Sequence, residues 1–193
     1  AARHLGLRLA DAASLLVTAG HVLLVPNALA VHESHAAATR FLVGDRASLD
    51  EDATQLVLEE GFDAPRLEAL WEQTDRSHLG RVQRKFRRHQ RQRRFGMARR
   101  HKPQILGCHF SLFRTDFERV NGFDENFVGW GYEDDDLSLR LYKSGCASCS
   151  VIEAARAIHL WHPGADPPGR RQSPNRSYFK RPRVPARCAR GLT

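Results

Sequence analysis

Four consecutive carboxylates, Glu133-Asp134-Asp135-Asp136, follow directly on the turn Gly129-Trp130-Gly131-Tyr132. Glycines let a backbone come close to a ligand, and an indole offers an apolar platform to a ring-shaped, polyhydroxylated one. Neighbouring residues on the first turn of a helix diverge by ~100°. One carboxylate can therefore face a reacting centre while the next binds hydroxyls. A sugar hydroxyl is a poor nucleophile at neutral pH, and a carboxylate within hydrogen-bond reach activates it as a general base. Acids at a helix start also stabilise the dipole, by ~0.3–1 kcal/mol each. That accounts for one or two acids, but not four behind Gly-Trp-Gly-Tyr.

Two further groups could act with the acids. His159-Leu-Trp-His162 carries two imidazoles on an extended or turning segment, able to supply one or two ligands to a divalent metal. The competing reading is a packed aromatic pair, Trp161 against a core histidine. Ala19-Gly20-His21 ends an apolar run, where a ligand could hold a metal against a diphosphate and so offset charge on a departing nucleotide.

Positioning these groups requires alternating strands and helices. Ala1–Ala10 reads as the end of a helix, and Ser14–Thr18 as a buried parallel strand resumed at Val22–Val25. Ser48-Leu-Asp-Glu51 fits a capping box opening a helix to about Glu60. Asp63 with Pro65 opens another, with Leu67, Leu70 and Trp71 on its apolar face; the pattern continues past a break near Gly80. Ile105–Phe113 reads as a strand, and Thr115-Asp-Phe-Glu118 as a second capping box before the Asn121-Gly122 turn. The acids then start a helix running to about Ser144, with extended segments at Ser150–Glu153 and Ala157–His159. Residues 164–193 form a Pro- and Arg-rich tail that wraps the domain or is irregular, six of the nine prolines lying from Pro163 onward. The alternation predicts an α/β layered fold.

The 193 residues suffice for one domain with a core, and no run approaches the ~20 apolar residues of a membrane span. The net charge of +8 is uneven: Arg76 to Lys102 holds twelve Lys or Arg residues and no acid. Such a stretch suits phosphate, anionic lipid or nucleic acid, or is a solvated Arg-rich helix face. It carries no nucleic-acid motif, which argues against that partner. Four cysteines are too few for a disulfide scaffold. The Cys146-x-x-Cys149 pair sits too close to His159 and His162 for a zinc finger.

Asn121-Gly-Phe-Asp124, Gly129-Trp-Gly-Tyr-Glu-Asp-Asp-Asp-Leu137 and His159-Leu-Trp-His-Pro163 together resemble the C-terminal half of a GT-A glycosyltransferase. The nearest pattern is that of family-2-like enzymes with a galactosyltransferase-type C-terminal module, as in β-1,4-galactosyltransferases and chondroitin-polymerase-like enzymes. The resemblance is specific over residues 104–163. It implies a partial GT-A domain over residues 1–163: a Rossmann-like mixed sheet with flanking helices, N-terminally incomplete. It further implies inverting, metal-assisted transfer from a nucleotide sugar, with UDP-sugars the expected donors, to a glycan or other hydroxyl acceptor. By the same resemblance Asp134 is the catalytic base. Trp130 is the floor beneath the acceptor, Gly131 is part of a mobile loop, and Glu133 and Asp135 bind hydroxyls. The metal, Mn2+ or Mg2+, is held by His159 or His162 together with His21, and Asp124 is structural.

The sequence also departs from the pattern. Relatives place Asp-x-Asp or Asp-x-His where this chain has Ala19-Gly20-His21, so one acid is missing from the expected metal motif. Two rival readings follow: a GT-A fold that binds a glycan or partner without catalysis, or a basic protein meeting nucleic acid or a membrane surface. With no export signal visible, the expected location is cytoplasmic, with peripheral contact at the inner face of a membrane through the basic segment.

Overall fold

The computed structural model describes residues 10–163 and 172–193. The expected helix over Ala1–Ala10 falls almost wholly outside them. Among these residues, seven strands form two mixed sheets. The first contains β1 (Ser14–Thr18), β3 (Arg40–Val43), β5 (His109–Phe113) and β6 (Ala147–Ser150) in the order β1-β5-β3-β6. The second contains β2 (Val22–Leu24), β4 (Ala47–Ser48) and β7 (Ala157–His159) in the order β2-β7-β4. β5 runs antiparallel to both β1 and β3, whereas β3 and β6 are parallel. β7 is antiparallel to β2 and parallel to β4.

The parallel assignment of β1 is therefore corrected. The strand is antiparallel, lies at one end of its sheet, and buries only Leu15 and Val17 while Ser14 and Thr18 are exposed. A short apolar run does not distinguish the two arrangements.

Helices α1 (Ala28–His35), α2 (Glu51–Glu60), α3 (Ala64–Gln73), α4 (Ser77–Arg94), α5 (Arg114–Arg119), α6 (Glu133–Lys143) and α7 (Arg176–Phe179) flank the sheets. The core joins Phe41 and Val43 of β3 and Phe110 and Leu112 of β5 to Leu137 and Leu141 of α6, Phe86 of α4 and Phe117 of α5. Each such side chain, when fully buried, contributes roughly 1.5–3 kcal/mol.

Local chemistry moved several boundaries. Asp50, not Ser48, caps α2, its carboxylate accepting from Ala53 N–H. Ser48 is instead a β4 residue paired with His159. α5 has no side-chain cap, because β5 passes straight into it through Phe113. The break expected at Gly80 lies earlier. Thr74 closes α3 onto the Leu70 carbonyl, and the Asp75 carboxylate accepts from Ser77 N–H to start α4. The strand expected from Ile105 begins only at His109. Upstream of it, Ile105 N–H goes to the Ser138 hydroxyl of α6 rather than to a strand. No helix among the described residues is long and apolar enough to cross a membrane.

Candidate functional site

The acid run divides by burial and partner. Asp136 and Arg140, both 0% exposed, form an ion pair at 2.6 Å one helical turn apart. Arg140 also donates to the Val120 and Gly122 carbonyls, each at 2.7 Å. Arg181 reaches Asp136 at 3.1 Å and Asp124 at 3.3 Å, and Tyr178 O–H donates to Asp124. Asp124 and Asp136 thus fasten the 120–124 turn and the chain after α7 onto the start of α6. Asp135, 1% exposed, faces Lys102 Nζ at 3.6 Å and His101 at 3.7 Å. Glu133 and Asp134 are half-buried.

Asp134 is held from two sides. Its Oδ2 accepts from Gly107 N–H at 2.9 Å, and its carbonyl accepts from the Ser138 hydroxyl at 2.7 Å. A Cβ at residue 107 would lie 2.8 Å from Asp134 Oδ2 and 2.9 Å from Cγ, and closer still to Oδ1. Only glycine lets the 102–107 segment come this near the carboxylate.

The turn before α6 is built from left-handed residues, Gly129, Gly131 and Tyr132. Trp130 is 41% exposed. The Ser173 hydroxyl donates to the Trp130 carbonyl at 2.7 Å, and Asn175 Nδ2 to the Gly131 carbonyl at 3.0 Å. Val128 N–H donates to Asn175 Oδ1 at 3.1 Å, and Tyr132 stacks on Phe179. The chain around α7 therefore underpins the turn that carries Trp130 and Gly131.

His21, His159 and His162 come together, their ligand atoms all within 4.8 Å of one another. Strand pairing produces this. β7 lies between β2 and β4, so His159 is paired to Val22 on one side and Ser48 on the other. Leu160 N–H then donates to the His21 carbonyl at 2.9 Å, setting that residue alongside. The rings of His21 and His159 meet edge to face at 4.4 Å, and those of His21 and His162 at 4.3 Å. Burial lowers the His159 pKa to about 4, helped by the charges of Arg46, His21 and His162. Burial also lowers the His21 pKa, with His162 and Arg46 adding to it. Both imidazoles are neutral at pH 7, with lone pairs available. Among the described residues this is the one grouping of three or more potential ligands, and no cysteine or carboxylate joins it.

Three imidazole nitrogens suit a borderline divalent ion such as Zn2+ or Fe2+, whereas Mn2+ and Mg2+ favour oxygen donors. The donor set therefore fits a divalent metal.

Gly107 and Cys108 connect the two clusters. Gly107 N–H binds Asp134, while the Cys108 carbonyl accepts from Ala19 N–H in the turn that carries His21. Burial pushes the Cys108 thiol pKa up. The Arg46 charge opposes this, and those of Asp45 and Asp134 add to it.

Beneath lies a chain of buried hydrogen bonds. His109 Nδ1 is 2.7 Å from the Asp45 carbonyl and must donate, which leaves its Nε2 as acceptor. His32 Nε2 donates to it at 2.9 Å, and His32 Nδ1 accepts from the Ser111 hydroxyl at 2.7 Å. This chain supports the Asp45-Arg46 turn, whose guanidinium acts on both His21 and His159. Arg46 and Gly107 were not anticipated. The one sequence signal for Arg46 was its place just after the apolar run Phe41-Leu42-Val43.

Residues 87–163, which contain the acid run, its glycine turn, His159 of β7 and His162 just after it, match the family model described as the N-terminal domain of galactosyltransferase. This segment is similar to the galactosyltransferase domain. It is 45% identical over 53 residues to validoxylamine A glucosyltransferase of Streptomyces hygroscopicus subsp. jinggangensis, covering 26% of this chain and 13% of that protein. Chondroitin synthase of Escherichia coli is 41% identical over 62 residues, 32% of this chain and 8% of that one. Human β-1,4-galactosyltransferase 4 is 58% identical over 31 residues, 16% and 9% respectively. The galactosyltransferase-type segment thus spans about an eighth or less of the length of these relatives.

Proposed function

We propose that the chain carries the acceptor-side half of a GT-A glycosyltransferase that moves a sugar from a nucleotide-sugar donor, UDP-linked, to a hydroxyl acceptor. The observation that carries the reading is the separation of Asp134 from its neighbours. Asp135 and Asp136 are buried against cations, while half-buried Asp134 is aimed by Gly107 N–H and follows the turn that exposes Trp130. Trp130 supports the acceptor ring, and Glu133 binds its hydroxyls. Asp134 takes the proton from the attacking hydroxyl as its oxygen bonds to the donor's anomeric carbon. The bond from that carbon to the nucleotide diphosphate breaks on the opposite face, which inverts the centre. His21, His159 and His162 would hold the divalent metal, which supplies charge stabilisation to the departing diphosphate.

Asp135 fits this scheme differently from a hydroxyl ligand. At 1% exposure it orients Lys102 and His101 rather than meeting substrate directly. The test is transfer or hydrolysis of a UDP-sugar with Mn2+. Asp134→Asn abolishes turnover and leaves donor binding intact; turnover retained in that variant removes Asp134 as the base.

The second reading, a GT-A fold that binds without catalysis, is favoured by Ala19. With no acid beside His21, the metal set is neutral and brings less charge to a hard cation. It predicts no metal-dependent nucleotide binding by calorimetry.

A further inference from the structure

Helix α4 and the segment returning from it enclose a cleft of about 620 Å³ lined by Lys85, Arg88, His89, Met97, Arg99 and Lys102. No acid lines it, and none of Lys85, Arg88 and Arg99 forms an ion pair with an acid among the described residues. Lys85, Arg88 and His89 fall on one helical face by their spacing. Arg99 and Lys102 are brought back to that face by Arg93. Its guanidinium donates to the carbonyls of Lys102 at 2.7 Å, Arg99 at 3.1 Å and Arg100 at 2.5 Å, and it lies 3.5 Å over the Tyr142 ring. Arg99 and Lys102 are thus placed by a fastened loop, and Lys102 also meets Asp135. Burial and the charges of Lys102, Lys85, Arg88 and Arg99 all lower the His89 pKa, so these groups act on one another.

Holding Lys85, Arg88 and Arg99 close together is unfavourable, and a bound anion relieves it. Arginine forks and lysine ammonium groups converging in a concavity suit the several oxygens of a phosphoryl group. Lys102 closes the cleft towards the candidate site: its ammonium is 3.6 Å from Asp135, and Gly107, farther along the same segment, binds Asp134. A second cleft of about 630 Å³, floored by Val82 and Phe86, shares Lys85, His89 and Lys102 with the first.

We infer that this cationic cleft binds a phosphoryl group, and that the phosphoryl group belongs to the acceptor. The second clause rests on the glycosyl-transfer reading above; the first does not. The phosphoryl group could come from a soluble phosphorylated sugar or from an anionic lipid headgroup, which the exposed Met97 on the rim would adjoin.

The test follows the His89 imidazole by NMR while inorganic pyrophosphate, and separately phosphatidylglycerol/phosphatidylcholine vesicles, are added to the protein. Expected is a rise in the His89 pKa with either probe. In Lys85→Gln/Arg88→Gln/Arg99→Gln, affinity falls by about tenfold, the sum of three exposed pairings. It is unchanged in Arg183→Gln and in His159→Ala. A response to pyrophosphate assigns the site to soluble phosphate, and a response to vesicles alone assigns it to a headgroup. No response to either probe, an equal response in the triple variant, or a response only to single-stranded RNA overturns the proposal. Because none of these readouts needs turnover, the phosphoryl site and the transfer reaction fail separately. If binding holds but phosphorylated and unphosphorylated acceptors are used equally well, the assignment to the acceptor falls.

Discussion

Gly107→Ala is the sharpest perturbation the site offers. The new Cβ would sit 2.8 Å from Asp134 Oδ2 and 2.9 Å from Cγ, where ordinary contact begins near 3.4 Å. Both Gly107 and the start of α6 are tied down, the latter through Ser138, so the carboxylate must give way by roughly half an ångström to one ångström. That movement breaks the Gly107 N–H bond to Asp134, and a hydrogen bond to a charged group contributes about 1.5–3 kcal/mol. For a domain of this size the loss lowers Tm by roughly 3–12 °C. A catalytic group displaced by ~1 Å costs on the order of 100-fold in rate. On the role proposed for Asp134, steady-state transfer from the donor should therefore show kcat reduced by about two orders of magnitude, with donor KM little changed, since the histidine cluster is untouched. Gly80→Ala is the control. Its nearest neighbour is a flexible Arg84 terminus at 3.6 Å, and the helix should gain roughly 0.5–1 kcal/mol. Wild-type kcat and Tm in Gly107→Ala would refute the positioning of Asp134 by this glycine.

Three other outcomes are expected. His159→Ala removes one of three potential ligands, and Mn2+ affinity by calorimetry should fall by more than the roughly 10–100-fold that altering a ligand's outer partner costs; unchanged affinity places the metal elsewhere. Asp136→Asn leaves Arg140 buried without its full counter-charge and should cost about 3–5 kcal/mol in a denaturant titration; a loss below 1 kcal/mol would show that Arg181 and the turn carbonyls suffice. His32 has its folded pKa lowered to about 4 by burial and by His109 and His35, against an unfolded value near 6.5. The unfolded chain therefore takes up the proton first, and stability is lost as pH falls from about 6.5 to about 4, by on the order of 3 kcal/mol. A His32 NMR titration near 6.5, or stability flat across that window, contradicts the buried neutral chain.

What could be read beforehand was local chemistry. The acid run at a helix start, the Asp63-x-Pro65 opening and the Leu137/Leu141 stripe depend on neighbours in sequence, and α6 and α3 follow them closely. The three histidines were individually legible as ligands, but their convergence depends on β7 lying between β2 and β4, which no local pattern encodes. Capping was misassigned at Ser48 because β4 takes that residue, and tertiary pairing overrides a cap signal. α1, with His32, was missed because its apolar residues lack a helical stripe. Gly107 was invisible for another reason: its role is a steric gap beside a side chain 27 positions away.

The contacts between Trp130-Gly131-Tyr132 and Ser173-Asn175-Phe179 have a consequence for engineering. The 129–132 turn and the chain around α7 behave as one cassette assembled from two separated stretches. A graft of residues 121–144 from a relative would land on a foundation made for a different turn. It needs residues 172–181 transplanted with it. Conversely, substitutions confined to Ser173 or Asn175, remote in sequence from the acid run, offer a way to reshape the Trp130 turn while leaving Asp134 as it is.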